Sequence, residues 1–164
     1  MRKLISYILT ILLLSTTACA NGSKGIKSSD KGELSNMKIS IQITSNSGKS
    51  ELTATLVDNS SAVAFYELLK KSPLTVDMHD YGSFEKVGPL GTTLPRNDTQ
   101  ITTTAGDIIL YQGNQITIYY DTNSWNFTRL GKVVSTSSTT TITQAELKKI
   151  LGKGDVTAVF SVME

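Results

Sequence analysis

The feature that most limits the fold of this chain is a series of short segments in which apolar and polar residues alternate. Residues 37–44 (MKISIQIT) alternate throughout, and residues 51–57 alternate again after a turn segment that contains Asn46 and Gly48. A period of two places every second side chain on one face, as in a strand with one buried face. Further alternating or apolar runs occupy residues 74–79, 107–111, 115–120, 127–134 and 156–163. The pattern predicts a mainly β domain of antiparallel strands.

Two segments carry helix signals instead. Residues 60–71 follow Asn59, which can cap a helix, and they precede a proline, which cannot continue one. The second helix is expected to begin at the capping box formed by Thr143 and Glu146 and to end at Gly152. Because a closed barrel leaves no sheet edge exposed, many strands with two helices predict a closed β-barrel with two capping α-helices. The side chains expected to plug it are Phe65, Leu69, Leu147 and Ile150.

Residues 1–18 have the three parts of a bacterial export signal. Arg2 and Lys3 supply positive charge, residues 4–14 are mostly apolar, and small residues precede Cys19, the only cysteine. A single cysteine cannot form a disulfide within the chain, whereas a lipidated thiol needs no partner. We therefore interpret residues 1–18 as a lipoprotein signal peptide and Cys19 as the lipidated residue of an exported protein anchored to a membrane of the cell envelope.

An alternative cleavage site remains open. The position three residues before Cys19 is Thr16, where lipoprotein signals usually have leucine. Ala18 and Ala20 flank the cysteine as an A-x-A site, and cleavage after Ala20 would release a secreted soluble protein. In either case the following residues, up to residue 36, are rich in Gly, Ser, Asn and Lys and predict a flexible tether. The predicted organisation is thus signal 1–18, lipid-anchored tether 19–36 and barrel domain 37–164.

Charge argues against nucleic acid as a partner. The full chain has 16 basic and 14 acidic side chains, but the predicted domain 37–164 has 11 basic and 12 acidic ones. A near-neutral domain without a basic stripe is poorly suited to a phosphate backbone. We expect a monomer whose partners are the membrane and an extracytoplasmic ligand.

Five blocks of the predicted domain occur in an order that resembles a family of small prokaryotic cyclophilin-like proteins. They are residues 58–65 (DNSSAVAF), 74–78 (LTVDM), 84–88 (FEKVG), 106–111 (GDIILY) and 123–132 (NSWNFTRLGK). The resemblance covers nearly all of residues 37–164, and it implies a cyclophilin-like barrel of about eight strands with two helices. It implies little about activity, because that family is defined by its fold.

Catalytic chemistry has little support in the sequence. True cyclophilins use an arginine within a Phe-His-Arg stretch, but the single histidine here, His79, is followed by Asp80. Arg129, near Trp125 and Tyr120, is the candidate catalytic residue if the domain is a weak peptidyl-prolyl isomerase; otherwise Arg129 covers apolar barrel wall. One histidine and one cysteine do not supply a zinc site, and there is no glycine-rich phosphate loop, so no metal or other cofactor is expected.

Binding is therefore the favoured function. Residues 88–105 form the longest segment without a clear pattern, apart from a short edge strand expected within residues 99–104. Aromatic residues near the loops could form a shallow groove for an extended peptide, a protein or a small ligand. The candidate binding residues are Tyr81, Phe84, Tyr120, Trp125 and Arg129. The hypotheses are a non-catalytic binding module, a weak prolyl isomerase and a structural envelope lipoprotein.

Overall fold

The computed structural model of the protein describes residues 37–134 and 141–163. The predicted signal peptide, Cys19 and the predicted tether lie outside the described residues. The strands are β1 (Lys38–Ser45), β2 (Gly48–Leu56), β3 (Leu74–Tyr81), β4 (Glu85–Pro89), β5 (Thr99–Thr102), β6 (Asp107–Tyr111), β7 (Gln115–Tyr119), β8 (Ser124–Val134) and β9 (Val156–Val162). The helices are α1 (Ser60–Lys71) and α2 (Gln144–Leu151).

Eight of the strands form a closed antiparallel barrel. Neighbouring strands pair in the order β2-β1-β9-β3-β4-β7-β6-β8, and β2 also pairs with β8, which completes the ring. The remaining strand, β5, pairs with the first residues of β8. The predicted fold, a mainly β closed barrel of cyclophilin-like type with two helices, is confirmed.

The barrel interior is built from the alternating residues that the sequence pattern singles out. Ile39, Ile41 and Ile43 of β1 are fully buried. Ile41 lies opposite Leu52 on one side and Phe160 on the other, so the apolar faces of three strands meet in register. A shift of one residue would turn each of these side chains out of the core, so burial itself fixes the register.

Both helices begin where their caps predict. The Asn59 side chain accepts a hydrogen bond from the backbone N–H of Ala62 at 2.8 Å. Thr143 and Glu146 form the reciprocal capping box at the start of α2. Each cap satisfies backbone donors that the first helical turn leaves unpaired.

The helices close the barrel with buried apolar side chains. Phe65, Leu69 and Leu147 are buried as expected, and the Phe65 ring meets the Phe160 ring edge to face with centroids 5.9 Å apart. Ile150 is partly buried and packs against the same core, and Leu151 is fully buried. Ile150 and Leu151 lie three and four residues after Leu147, so all three share the inward face of the helix.

Strand β4 was not expected from periodicity, because Glu85 and Lys86 interrupt any apolar alternation. Both charged residues are nevertheless buried within it. The edge strand expected within residues 99–104 is present as the shorter β5. Among the described residues, no helix is long and apolar enough to cross a membrane.

Candidate functional site

A second, smaller apolar cluster lies on the outer face of the barrel wall. Ile109, Tyr119 and Phe127 are buried there and are separate from the main core. The residues that precede Ile109 and Tyr119, Ile108 and Ile118, belong to the main core. Since successive residues of a strand point to opposite faces, Ile109 and Tyr119 point out of the barrel.

The outer cluster is a continuous series of aromatic contacts. Phe84 stacks on Tyr119 with centroids 5.9 Å apart and an interplanar angle of 7°. Tyr119 contacts Phe127 at 5.6 Å, and Phe127 contacts Tyr111 at 6.5 Å. Tyr81 meets the other end of the series, with its ring 6.1 Å from that of Phe84. Aromatic pairs at these distances stabilise one another, so these contacts hold the rings of the series in fixed positions.

This surface lines a cavity of about 270 Å³, which we call the aromatic cavity. Its lining residues are Tyr81, Phe84, Glu85, Tyr111, Tyr119, Asn123, Trp125 and Phe127. Two of these aromatic residues are largely in solvent, because Tyr81 is 60% and Trp125 is 61% exposed. Large exposed aromatic side chains beside a concave surface are typical of binding sites.

A second depression adjoins the first. It has a volume of about 490 Å³, and we call it the polar cavity because most of its lining is polar. Its lining residues are Arg96, Asp98, Thr99, Gln100, Tyr111, Gln112, Trp125 and Asn126. Tyr111 and Trp125 line both cavities. The two cavities therefore adjoin, and we refer to them together as the groove.

Glu85 is an acidic residue within the aromatic cavity. In the strand register it lies directly between Tyr81 of β3 and Tyr119 of β7. It is 7% exposed, and its Oε2 atom is buried without a hydrogen-bond partner. Burial raises the pKa of Glu85, and a hydrogen bond from the Tyr119 side chain opposes that rise. Burial also raises the pKa of Tyr119, which keeps its hydroxyl protonated as a donor.

A larger cavity, of about 710 Å³, lies at the end of the barrel beside the C-terminus of α2. Asp80 and Tyr120 line it, together with lysines of α2. Asp80 accepts hydrogen bonds from the Tyr120 hydroxyl at 3.0 Å and from the Gly154 backbone N–H at 2.8 Å, and it pairs with the Lys86 ammonium at 2.6 Å. Partial burial acts to raise the pKa of Asp80, but these three partners hold it below its usual value. Because these polar groups satisfy one another, we read this arrangement as structural.

Comparison with known proteins agrees with the fold. The family model of the cyclophilin-like family matches residues 45–161. The chain belongs to the cyclophilin-like family. Its fold is also similar to the solution structure of the hypothetical protein AF2241 from Archaeoglobus fulgidus, with a TM-score of 0.50 and 13% sequence identity over 75% of this chain and 94% of that one. None of the curated proteins compared with the chain matches it significantly.

The cyclophilin-like barrel brings together only some of the residues expected to bind ligand. Tyr81, Phe84 and Trp125 line the aromatic cavity. Tyr120 lines the barrel-end cavity instead, and its hydroxyl bonds to Asp80. The reason is that Tyr120 follows Tyr119, and neighbouring residues of an extended chain point to opposite sides.

Arg129 shares the outer face of the cyclophilin-like barrel but lines neither part of the groove nor the barrel-end cavity. Its guanidinium pairs with Asp107 at 3.3 Å, and Lys132 pairs with the same carboxylate at 3.1 Å. The structure therefore does not bring Arg129, Trp125 and Tyr120 into one cavity. Within residues 37–134 and 141–163 there is no group of three or more side chains suited to hold a metal ion.

Several residues of the cyclophilin-like groove are not among the binding residues predicted from the sequence. They are Glu85, Tyr111, Tyr119, Asn123 and Phe127. The strand register that places Glu85 between two tyrosines depends on pairings between β3, β4 and β7, which no local pattern reveals. The only local signal is the sequence YGSFE at residues 81–85, in which two aromatic residues and an acid surround a turn.

Proposed function

We propose that this protein is an exported, membrane-anchored binding module that holds an extended peptide in its groove without chemically changing it. The observation that carries the proposal is the aromatic cavity, where Tyr81 and Trp125 remain exposed above a floor of packed aromatic rings. Exposed aromatic side chains of this kind supply large contact areas at a low cost in side-chain entropy. Membership of the cyclophilin-like family is compatible with such a role.

The shape of the groove favours a peptide over a compact ligand. Two adjoining depressions that share Tyr111 and Trp125 suit successive side chains of an extended segment. The polar cavity offers amide groups of Gln100, Gln112 and Asn126, which can donate to and accept from a peptide backbone.

Strand β5 offers a further means of holding an extended segment. It is the last strand of the sheet order, and within the described residues it pairs only with β8. Its other edge can therefore accept a peptide as an added strand. Gln100 of β5 also lines the polar cavity, so a strand added at this edge would lie beside the groove.

Fluorescence of Trp125, the only tryptophan of the chain, provides a direct test. The full-length protein in detergent is titrated with a panel of unstructured peptides, and a saturable change in tryptophan emission is expected for those that occupy the groove. Tyr111→Ala, which removes a side chain shared by both cavities, should weaken binding, whereas Tyr66→Ala on α1 should not. Binding that is indifferent to Tyr111→Ala would place the peptide elsewhere.

Catalysis is tested separately. Prolyl isomerisation of a short peptide is compared between the wild type, Arg129→Ala and a reaction without protein. We expect no acceleration by the wild type, since Arg129 is engaged by Asp107 rather than facing the groove. Robust acceleration that disappears in Arg129→Ala would contradict the non-catalytic proposal.

Anchoring rests on the sequence, namely Arg2 and Lys3, the apolar residues 4–14 and Cys19 after small residues. Mass spectrometry of the mature N-terminus should find Cys19 as the first residue with a diacylglycerol and an acyl mass. Cys19→Ala should yield an uncleaved precursor or a soluble exported form. A mature protein that begins at Asn21 without lipid would instead support secretion.

A further inference from the structure

We propose that the aromatic cavity binds an alkylammonium group, such as the end of a lysine side chain, between its aromatic rings and the carboxylate of Glu85. The inference rests on the proposed function for the peptide that carries this group. It starts from Glu85 Oε2, a buried oxygen with no hydrogen-bond partner. Nearly all buried polar atoms are paired, and a buried carboxylate without a partner is costly, so an unpaired one at a cavity wall indicates a missing partner.

The charges around the groove show which sign that partner carries. Arg129 and Lys132 are both engaged by Asp107, and Arg96 pairs with Asp98 at the polar cavity. Among the ion pairs formed by the described residues, none includes Glu85. When Glu85 is ionised, its carboxylate is a negative charge in an aromatic environment without a cation among the described ion pairs, and it favours a cationic ligand.

The walls of the cavity suit a cation as well. The face of an aromatic ring carries negative charge density, so a cation held within about 6 Å of a ring centroid is attracted to it. Tyr81 and Tyr119 lie on either side of Glu85 in the strand register, and Phe84 and Trp125 also line the cavity. Aromatic rings combined with one acidic side chain form the kind of cage that recognises ammonium groups.

The carboxylate geometry favours an ammonium over a guanidinium. Tyr119 acts on the carboxyl group of Glu85 to lower its pKa, while Oε2 has no hydrogen-bond partner. Oε2 is therefore a single oxygen that lacks a partner. A guanidinium binds best through two parallel hydrogen bonds to both oxygens, whereas an ammonium acts as a compact point charge and needs only one.

Two kinds of probe test the inference on the full-length protein in detergent, with Trp125 emission as the readout. The first is n-butylammonium, with n-butanol as its neutral counterpart. The second is a pair of capped, otherwise identical peptides whose central residue is lysine or norleucine. We expect saturable binding of n-butylammonium but not of n-butanol, and lysine peptide binding about tenfold tighter than norleucine peptide binding.

Matched variants show whether Glu85 is responsible. Glu85→Gln removes the charge but keeps an acceptor for Tyr119, and it should weaken n-butylammonium binding about tenfold and abolish the preference for lysine. Glu67→Gln, on the exposed face of α1, removes the same charge far from the groove and should change neither. Tyr81→Ala removes an exposed cavity wall at little risk to folding and should also weaken n-butylammonium binding.

The outcomes separate this inference from the proposed function. Equal binding of both peptides, or equal n-butylammonium affinity in the wild type and Glu85→Gln, would overturn the ammonium site while leaving peptide binding in place. Binding of n-butylammonium that depends on Glu85, without binding of any peptide, would support the site and overturn the peptide function. If no probe binds, both proposals are wrong.

Discussion

Adjacent residues of β4 place two buried charges on opposite sides of the barrel wall. Lys86 lies in register with Ile118, a core residue, so its side chain points into the barrel, where it is fully buried. Its ammonium pairs with Asp80 and donates to the Gly154 carbonyl. Glu85 points outward and has no such ionic partner among the described residues. A substitution that leaves Lys86 without its counterion should therefore lower the free energy of unfolding. Removing the charge of Glu85 should instead raise it at a pH where Glu85 is ionised.

The ion pair joins the fully buried Lys86 to the partly exposed Asp80, so substitutions of the two residues should differ in their cost to stability. Asp80→Asn leaves the fully buried ammonium of Lys86 without its counterion, and we expect a loss of about 2–3 kcal/mol in the free energy of unfolding, at the low end for a buried pair because Asp80 is 36% exposed. Lys86→Met fills a similar volume and leaves Asp80 with solvent, Tyr120 and Gly154, so it should cost about 1 kcal/mol or less.

Urea unfolding of the two variants checks this order. Because the folded-state pKa of Asp80 lies below its unfolded value, its stabilisation is present above the unfolded pKa and is lost as the pH falls through the folded one. The deficit of Asp80→Asn relative to the wild type should therefore shrink at acid pH, below about 4. A larger cost for Lys86→Met than for Asp80→Asn would show that the buried charge is not the dominant factor.

Glu85 should destabilise the unliganded protein when it is ionised. Burial raises its pKa in the folded state, so the folded protein binds this proton more tightly than the unfolded chain does. Wild-type stability should then fall as the pH rises from the ordinary glutamate pKa, about 4.3, through the raised value. Glu85→Gln does not titrate, so its stability relative to the wild type should increase over that interval and level off above it. Parallel stability curves for the two proteins between pH 4 and pH 8 would contradict this.

At the scale of elements, the helix bounds could be predicted from the sequence because residues at the helix ends determine them. The bounds of α1 follow from Asn59 before it and Pro73 after it, and those of α2 from its capping box and Gly152. Strand β4 does not show in the sequence pattern because a lysine predicts a solvent-facing position. The burial of Lys86 depends on the pairing of β4 with β3, which places it beside Asp80.

The groove was harder to predict than the fold for a related reason. Tyr120 and Tyr119 are equally aromatic and adjacent, and only the end of β7 decides which of them faces the groove. Glu85 belongs to the aromatic cavity through the register of three strands, so its position depends on pairings between distant parts of the chain. The sequence pattern alone therefore predicted the exposed aromatic residues of the cavity, Tyr81 and Trp125, but not its buried acidic residue, Glu85.

Asn59 joins α1 to the barrel as well as capping it. Its Oδ1 atom accepts from Ala62 N–H, and its Nδ2 atom donates to the Arg129 carbonyl of β8, both at 2.8 Å. Asn59→Ala removes both bonds and should lower the free energy of unfolding by about 2 kcal/mol. Asn59→Ser keeps a capping oxygen and lacks the bond to β8, so its cost should be about half as large. Equal costs in thermal or urea unfolding would mean that the cap contributes nothing.

At the scale of the whole molecule, the predicted tether differs from the barrel domain in composition, since it is rich in Gly, Ser, Asn and Lys and has only isolated apolar residues. Deletion of residues 20–36 should therefore leave the thermal unfolding midpoint nearly unchanged, because the tether composition cannot bury enough surface to contribute. A fall of several degrees would show that the tether packs on the barrel.

The barrel closes where β8 meets β2, and Gly131 lies in that closing pair opposite Leu56. A Cβ atom at Gly131 would lie 2.5 Å from the Thr55 carbonyl oxygen, which is backbone and cannot move aside without shifting β2. Gly131→Ala should therefore cost about 3 kcal/mol and loosen the closing pair specifically. Gly91→Ala is the matched control, because a Cβ atom at Gly91 would meet no atom within 4 Å. Its expected cost of about 1 kcal/mol comes only from the positive φ of 75°. Hydrogen exchange should show lost protection at residues 53–56 and 131–134 in Gly131→Ala alone, and unchanged protection there would mean that the ring does not depend on this close approach.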